Sequence, residues 1–415
     1  MTKPSKYRAH LLATMVCAAI GGIGLPSTAI AAEADLIKRI DALQAEIDAL
    51  KAQVMKAQSD AAKAQAEATK AQAAAPAKAA DGKPVATSNT DGITVYGRLE
   101  LTLENNDDGK VTRQVMQSHS SRIGFKGQRK FGDGLTGLLQ IETGIAPDDH
   151  ANSSAFANRD SYAGLRHDRF GTLLYGRHDS PFKDLEGTAS LIWGSGEAME
   201  IIIHGKGTSR AAGSTWVNLH TRMANSLQYF TPKFGHVSGR LAYAPDEVNG
   251  ATGTVRKPIY GGSVEYDDGQ FNAGLAYENQ VRFNGAGKDF TGMKLTVGYE
   301  QGPIKAGMAF SRLDNDAGKK TSNWMIVGSY KTGPVVLKAN YGASSQTATG
   351  AADGLKMVAF EVDYPLDKFT ALYGYYTKIA NDRNARGRFE SGENKYTPVA
   401  GDDPSALGFG IRYNF

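Results

Sequence analysis

The sequence predicts an all-β fold: a 16-stranded antiparallel transmembrane β-barrel with an N-terminal coiled-coil helix. Three observations predict it. Segments in which apolar and polar residues alternate follow one another from residue 93 onward, tight turns alternate with longer polar loops, and the last segment ends on an aromatic residue. Alternation of this kind suits strands that face lipid on one side and water on the other.

A secretory signal peptide is predicted at residues 1–31. A charged segment at residues 3–8 precedes an apolar segment at residues 11–25 and a small-residue cleavage site at residues 29–31. Cys17, the only cysteine, lies in the apolar segment, so the mature chain is predicted to lack cysteine. A secreted chain of this length without disulfides is typical of the bacterial envelope.

Residues 34–75 are rich in Ala, Lys, Gln and Glu and contain no Gly. Their apolar positions repeat as a heptad, with Ile and Leu in the first part and alanine in the rest, which predicts a coiled coil that weakens toward its C-terminal end. A lone charged helix that acts as a spacer is the alternative. Residues 76–91 contain helix-breaking prolines and a glycine and predict a flexible linker. The strong heptad residues are Leu36, Ile40, Leu43, Ile47, Leu50 and Val54.

Residues 92–415 form the predicted barrel. Seven tight turns and eight longer loops make fifteen connections and therefore sixteen strands, and the longest loop spans residues 179–220. Short turns on one side and long loops on the other are typical of outer-membrane barrels, whose periplasmic turns are short. An even strand number places both barrel ends, and the coiled coil, in the periplasm. The tight turns lie at residues 131–134, 168–171, 233–235, 267–269, 301–303, 331–334 and 365–368.

Other classes of protein fit the sequence less well. A soluble sandwich or propeller is disfavoured because no 40-residue repeat is visible. A helical membrane protein is excluded because mean hydropathy is -0.37 and the mature chain has no apolar run of 18 residues. The sequence contains no nucleophile elbow, no HExxH and no Cys ligand set, so we predict no enzyme, no cofactor and no metal site. The 47 basic and 43 acidic residues nearly balance, and no nucleic-acid partner is predicted.

The terminal segment, residues 407–415, alternates strictly. Gly408, Gly410, Arg412 and Asn414 fall on one face, and large apolar residues fall on the other. This pattern predicts the closing strand of the barrel, paired with residues 93–103. The apolar face consists of Leu407, Phe409, Ile411, Tyr413 and Phe415.

Several short segments within residues 92–415 resemble the general porins of Gram-negative bacteria, in the order and spacing of that family. The resemblance implies a homotrimer of sixteen-stranded barrels in the outer membrane, each a water-filled pore surrounded by lipid and lipopolysaccharide. It also implies that the barrel-assembly machinery recognises the terminal aromatic residues, Tyr413 and Phe415. The segments are Val95-Tyr-Gly-Arg98, Ser121-Arg-Ile-Gly-Phe-Lys-Gly127, Gly132-Asp-Gly-Leu-Thr-Gly137, Asn158-Arg-Asp-Ser-Tyr-Ala-Gly-Leu165, Phe170-Gly-Thr-Leu-Leu-Tyr-Gly-Arg177, Arg222-Met-Ala-Asn-Ser-Leu-Gln-Tyr229 and the terminal strand.

The resemblance further implies that the third loop folds inward and narrows the pore. Basic side chains on the wall would then face acidic ones on the loop. The wall residues that match are Arg98, Arg122, Arg159 and Arg222, and the alternation of polar residues around Arg98, Arg122 and Arg222 independently places these three on lumen-facing rows.

The third loop departs from the usual family pattern. The familiar Pro-Glu-Phe-Gly is replaced by residues 193–200, followed by the apolar run Ile201–Ile203, which either packs against the inner wall or covers part of the lumen. Glu186, Glu197 and Glu200 are the candidates for the acidic side of the constriction.

The predicted function is passive diffusion of small hydrophilic solutes and ions, with a modest anion preference. One alternative is a channel selective for dicarboxylate or phosphate-like anions, because some porins for such solutes carry a periplasmic coiled coil. Another is a structural anchor whose coiled coil tethers the outer membrane to peptidoglycan.

Deletion of residues 34–75 tests the predicted coiled coil. If this segment associates in parallel with its copies, the deleted protein should dissociate to monomers at a lower temperature on gels run in mild detergent. An unchanged dissociation temperature and an intact cell envelope would instead assign residues 34–75 to a spacer.

Overall fold

The computed structural model describes residues 92–148, 155–206, 217–246, 257–283, 287–316, 318–389 and 398–415, together with Ala45 and Lys56. The predicted signal peptide, coiled coil and linker therefore lie outside the described residues, apart from Ala45 and Lys56, which are both helical and exposed. Across the described part of the chain, we find no helix with the length and apolar character needed to cross a bilayer.

The described residues form one antiparallel sheet of seventeen strand segments that closes on itself. From β3 onward each segment pairs with its neighbours in chain order, β1 pairs with both β2 and β3, and the last segment pairs with the first. The segments are β1 (Ile93–Asp107), β2 (Thr112–Ser118), β3 (Arg122–Gly132), β4 (Leu135–Gly144), β5 (Ser161–His167), β6 (Gly171–Asp179), β7 (Arg222–Phe230), β8 (Val237–Ala244), β9 (Ile259–Asp267), β10 (Phe271–Gln280), β11 (Phe290–Gln301), β12 (Ile304–Asp314), β13 (Lys320–Thr332), β14 (Val335–Ser344), β15 (Leu355–Pro365), β16 (Thr370–Asn381) and β17 (Ser405–Asn414).

The strands β2 and β3 are two parts of one barrel strand. Both pair with β1, β2 along its C-terminal half and β3 along its N-terminal half. Between them the backbone leaves the ladder at residues 119–121, where Ser120 has a φ of 57°. The seventeen segments therefore make the sixteen strands that the sequence predicts, and the prediction of a 16-stranded barrel is confirmed.

All seven predicted tight turns connect adjacent strands. The turn between β3 and β4 shows why glycine is needed there: Gly132, Asp133 and Gly134 have φ values of 101°, 48° and 76°, a left-handed run that glycine adopts without strain. The eight predicted longer loops join the strand ends opposite those that the tight turns join. The longest, which we call loop 3, joins β6 to β7 and spans residues 180–221.

The register of the closing pair differs from the prediction. Strand β17 pairs with β1 as predicted, but from Arg98 to Asp107 and therefore over only the C-terminal part of the predicted range 93–103. Phe415 exchanges two backbone hydrogen bonds with Gly97. Residues 93–96 of β1 instead extend past the end of β17 and pair only with β3. The offset follows from the tilt of barrel strands, which staggers neighbouring strands along the barrel axis.

Side chains alternate between lipid and lumen as the sequence predicts. On β17, Phe409 is 65% exposed on the outer face while Arg412 is 8% exposed inside. On β1, Leu103 points outward, whereas Glu100 and Glu104 point inward and are buried. An apolar outer row and a polar inner row are what a membrane barrel with a polar interior requires.

Loop 3 folds into the barrel and forms its internal core. It begins with a short helix, α1 (Pro181–Asp184), whose N-terminus is capped by the Ser180 side chain. It continues through two 3₁₀ turns, Gly187–Ala189 and Gly194–Gly196, and a π turn, Met199–Ile203. The apolar side chains of these turns are buried against the inner wall, which fixes the path of the loop.

Deletion of Phe415 tests the closing pair. Loss of its two backbone hydrogen bonds with Gly97 should lower barrel stability by about 1–3 kcal/mol in detergent unfolding experiments. If assembly machinery also reads this residue, the yield of folded protein in cells should fall much further than the conductance of the barrels that do fold. Phe409→Ala, on the same lipid-facing row, is the matched control and should fold in cells at nearly normal yield.

Candidate functional site at the constriction of the barrel

Loop 3 crosses the inner wall and is held there by polar contacts with four strands. The Thr188 hydroxyl donates to Glu300 Oε1 on β11 (2.9 Å), and the Thr188 backbone N–H donates to Asn272 on β10 (3.2 Å). Further along, Ser311 on β12 donates to the Ile203 carbonyl (2.7 Å) and Asn340 on β14 donates to the Gly196 carbonyl (2.8 Å). The loop therefore lines the β10 to β14 side of the barrel.

The apolar run of loop 3 packs against the wall and does not cover the lumen. Ile201, Ile202 and Ile203 are fully buried and belong to one cluster with Met325 and Met357 of the barrel wall. Of the two possibilities that the sequence leaves open for Ile201–Ile203, the structure selects packing against the inner wall. Burial of three isoleucines stabilises the folded position of the loop by several kcal/mol in area terms, before the entropy of ordering it is subtracted.

The tip of loop 3 is attached to Glu104, a buried carboxylate on β1. Glu104 accepts hydrogen bonds from Ser195 of the loop (3.4 Å), from Gln117 (3.0 Å) and from Tyr375, and it pairs with His119 Nε2 (2.7 Å). All five side chains are less than 10% exposed. Several donors on one buried carboxylate form a polar network that joins the loop tip to the barrel wall.

The opposite wall carries the arginines predicted from the sequence. Arg122 on β3 and Arg159, which precedes β5, share one carboxylate: Glu142 lies 3.6 Å from Arg122 Nε and 2.5 Å from Arg159 Nε. Glu142 also accepts a hydrogen bond from Tyr96 (3.0 Å). The structure thus brings Arg122 and Arg159 together around a single negative charge.

Arg98 lies directly opposite Arg122 on the neighbouring strand. Like charges in this position repel each other, and the nearby Glu100 offsets the repulsion because it lies 3.5 Å from Arg98 Nη1. Arg98 also stacks on the Trp193 ring of loop 3, with 5.5 Å between the guanidinium carbon and the ring centroid. Trp193 is therefore a point where loop 3 and the arginine wall meet.

Arg222, at the start of β7, is paired more completely. Its Nε lies 2.7 Å from Asp160 and 2.9 Å from Asp179, and Asp179 also binds Lys183 of α1 (2.9 Å). The negative charges of the two aspartates balance the positive charges of Arg222 and Lys183. Arg222 thus holds the base of loop 3 against the wall as well as facing the lumen.

The three candidate acids of loop 3 differ in their surroundings. Glu200 pairs within the loop, with Lys206 (2.6 Å) and His220 (3.2 Å). Burial raises the pKa of Glu186 to about 7 and raises the pKa of Glu197 well above its usual range. The acidic role of these residues stays a prediction, and burial gives the loop less negative charge than three carboxylates would carry in water.

A model of the Gram-negative porin family matches residues 64–384, more than half of the chain. The chain belongs to the Gram-negative porin family. Its relatives include the major outer membrane protein P.IB of Neisseria lactamica, 28% identical over 54% of this chain and 62% of the relative. The P.IB protein of Neisseria meningitidis serogroup B is 26% identical over 78% of this chain and 94% of the relative. Alignments with P.IB from N. lactamica and Neisseria gonorrhoeae span only 49–62% of those relatives.

Solved porins share the fold. An anion-selective porin from Comamonas acidovorans superposes with a TM-score of 0.67 at 23% identity, covering 78% of this chain and all of that structure. The trimer form of OmpT, an outer membrane protein of Vibrio cholerae, superposes with a TM-score of 0.56 at 17% identity, covering 79% of this chain and all of that structure. These likenesses confirm the barrel architecture.

Sequence reasoning missed several lumen residues of this porin. Arg412 binds Glu100 (2.8 Å) beside Arg98, and the alternation on β17 already placed it on the inner face. Arg240 on β8 is buried and pairs with Asp184 of α1 (2.5 Å), a contact that no local pattern indicates because the two residues are far apart in sequence.

Lys294 was also missed. It is fully buried on β11, and its Nζ donates to His204 Nε2 of loop 3 (2.8 Å) and to the Lys183 carbonyl (3.3 Å). Burial next to lysines lowers the pKa of His204 well below its usual range, which keeps the imidazole neutral and able to accept this bond. Lys294 therefore clamps two distant parts of loop 3 together.

Glu104→Ala tests the attachment of the loop tip. The substitution leaves buried donors on His119 and Tyr375 without an acceptor, which should cost about 1–3 kcal/mol for each unsatisfied group. We expect a lower unfolding temperature and more current noise in single-channel recordings. Glu300→Ala is the control: Glu300 also binds loop 3, but water can replace it because its side chain is 37% exposed. Equal effects of the two variants would contradict a special role for Glu104.

Proposed function

We propose that this porin forms a water-filled channel in the outer membrane for passive diffusion of small hydrophilic solutes and ions, with a modest preference for anions. The observation that carries the proposal is the position of loop 3, which lies inside a closed barrel and packs on one side of the wall. Arg98, Arg122 and Arg159 lie on or next to β1, β3 and β5, away from the strands on which loop 3 packs, and this supports a basic side of the channel. A barrel of sixteen strands is wide enough to leave an aqueous channel.

The anion preference rests on incomplete charge balance. Arg122 and Arg159 share Glu142, so two guanidinium groups meet one carboxylate. Glu186 and Glu197 are two of the three candidate acids of loop 3, and burial opposes the ionisation of both. An excess of positive charge at a narrow point in a low-dielectric wall favours anion entry. The preference for anions is modest because the carboxylates of Glu100 and Glu142 lie beside the arginines and reduce their attraction for anions.

The proposal also covers the orientation of the barrel in the outer membrane and its partners. We place the tight turns and both barrel ends in the periplasm, as in other outer-membrane barrels, with membrane lipid around the apolar outer rows and lipopolysaccharide at the loop end. A homotrimer is supported by the trimer form of the OmpT structure with the same fold. Recognition of Tyr413 and Phe415 by assembly machinery, and of peptidoglycan by the coiled coil, remain proposals.

The double substitution Arg122→Ala and Arg159→Ala tests the function. In planar bilayers, the wild-type protein should give stable open-channel currents, and its reversal potential in a KCl gradient should indicate anion preference. One unit charge about 4 Å from an ion is worth about 1 kcal/mol in water-like surroundings, a factor of about five in permeability ratio, so the variant should shift toward cations by roughly that factor or more.

A matched control removes two arginines outside the constriction. Arg113 lies near the loop end and Arg169 lies in a tight turn, so the pair Arg113→Ala and Arg169→Ala should leave the reversal potential nearly unchanged at high salt. A folded protein without open-channel current would refute the channel and favour the membrane anchor. Cation preference in the wild type would refute the anion bias alone.

A further inference from the structure

Loop 3 contains a chain of paired polar side chains that begins on the barrel wall. Lys294 Nζ on β11 lies 2.8 Å from His204 Nε2, and His204 Nδ1 lies 3.4 Å from His220 Nδ1. His220 Nε2 lies 3.2 Å from Glu200 Oε1, and Glu200 Oε2 accepts a hydrogen bond from Lys206 (2.6 Å). These five side chains, which we call the histidine chain, join two separate parts of loop 3 to one strand of the wall.

The positions of the protons in the histidine chain follow from its end on the wall. An ammonium group can only donate, so His204 Nε2 accepts from Lys294 and the proton of His204 lies on Nδ1. That N–H donates to His220 Nδ1, which leaves the proton of His220 on Nε2, where it donates to Glu200. Each ring nitrogen therefore meets a suitable partner only while both imidazoles are neutral.

A second proton on either imidazole would break the chain. On His204 it would lie on Nε2 and point at the Lys294 ammonium group, and on His220 it would lie on Nδ1 and point at the N–H of His204. His204 is fully buried and the His220 side chain is 13% exposed, so little water is available to solvate the added charge. Burial and nearby cations accordingly lower the pKa of both histidines well below the usual range.

The charged groups that face the two imidazoles are mostly positive. Lys183 of α1, Arg222 of β7 and the two lysines of the histidine chain all oppose a positive charge on the rings. Glu200 attracts such a charge, but it is already shared with a lysine. Glu278 of β10 accepts a hydrogen bond from the end of loop 3 (2.6 Å). The surroundings therefore favour neutral imidazoles.

Other titratable groups of loop 3 and its contacts respond to acid with the opposite sign. Burial raises the pKa of Glu186 to about 7 and raises the pKa of Glu197 well above its usual range, so the docked loop favours their protonated forms. At the loop tip, His119 faces Glu104 (2.7 Å), which attracts a proton on that ring. Acid strengthens the docking of loop 3 at these places, and only the histidine chain opposes it.

We propose that the histidine chain is an acid-sensitive latch, which holds loop 3 against β11 at neutral pH and releases it when His204 and His220 take up protons. In a released loop these residues regain the ordinary histidine pKa of 6.5, whereas the docked loop excludes the protons. Docking is therefore fully stable above about pH 6.5 and weakens as the pH falls below it, by up to about tenfold in the docking equilibrium per pH unit for each histidine. The inference rests on the proposed channel function and adds a regulation of the channel.

The experiment records single channels in planar bilayers between about pH 7.5 and pH 5, the range in which histidine titrates. A released loop obstructs the lumen, so the closed fraction of the wild type should rise below pH 6.5, by up to about a hundredfold per pH unit for two protons. The double variant His204→Gln and His220→Gln keeps a donor and an acceptor at each position but cannot titrate, and its closed fraction should not rise. A wild-type closed fraction that is independent of pH would overturn the latch.

The matched control is His178→Gln with His236→Gln, which removes two histidines outside the latch. His178 on β6 contacts Arg240 (2.8 Å), and His236 lies beside the Tyr266 ring at the tight-turn end. This control should keep the acid response of the wild type. A full acid response in the His204→Gln and His220→Gln variant, or an equal loss of response in both double variants, would overturn the latch.

Two further measurements decide the matter if the double variant does not fold or carries no current. The single variant His220→Gln should reduce the steepness of the acid response to about one proton, and unchanged steepness would overturn the latch. Hydrogen exchange of residues 199–206, corrected for the intrinsic effect of pH, should be faster in acid in the wild type, and equal exchange would overturn the latch. Absence of current at neutral pH in the folded wild type would refute the channel function, and hydrogen exchange would then decide the latch alone.

Discussion

The structure depends on one pairing, that of the first strand with the last. In lipid, no water is available to a backbone N–H or carbonyl group, so a sheet can span a membrane only if it has no free edge. Ten register pairs between β1 and β17, together with the two bonds between Gly97 and Phe415, remove that edge. Once the sheet is closed, strand alternation alone assigns each side chain to lipid or to lumen.

Closure creates a wide interior, and loop 3 fills part of it. Where the inner wall contacts loop 3, its inward-facing residues include small ones that leave space for the loop. Gly307 touches the Thr188 backbone so closely that a Cβ would lie 2.4 Å from its carbonyl oxygen, and Ala359 lies beside Gly196. The wall that loop 3 leaves open carries long cationic side chains, Arg122 among them. Small inward residues such as Gly307 and Ala359 thus make room for the loop, and large basic residues such as Arg122 line the wall that the loop leaves open.

The number of strands, the tight turns and the inward or outward direction of each side chain depend on local sequence patterns, so they could be predicted. A turn such as residues 132–134 is recognisable because its left-handed backbone demands glycine or a short polar residue. The register of β17 was predicted wrongly because strand tilt is a property of the whole barrel and leaves no mark on a single strand. The positions of Arg98, Arg122 and Arg222 on polar rows followed from alternation.

The contacts of loop 3 could not be predicted, because they join residues far apart in sequence through tertiary packing. Glu104 and Ser195 are 91 positions apart, and Lys294 and His204 are 90 apart. Arg412 is the instructive intermediate case. Its inward direction was visible in the alternation of the last strand, but its pairing with Glu100 depends on barrel closure.

The distribution of charge along the lumen follows from the same geometry. At the constriction, where loop 3 and the wall approach each other, every predicted wall arginine has a carboxylate neighbour, which limits how tightly a passing anion can be held. A channel needs such moderation, because a solute that binds too strongly at the narrowest point cannot leave it. Toward the tight turns, Lys126 on β3 and Arg166 on β5 have no carboxylate within ion-pair distance among the described residues; Lys126 lies over the Tyr96 ring and Arg166 donates to Gln128. Stronger attraction beyond the constriction than within it would draw anions through the narrow segment without trapping them there. Two arginines share Glu142 at the constriction, whereas Lys126 has no such carboxylate beside it among the described residues. The attraction for anions therefore increases along the lumen from the constriction toward the tight turns.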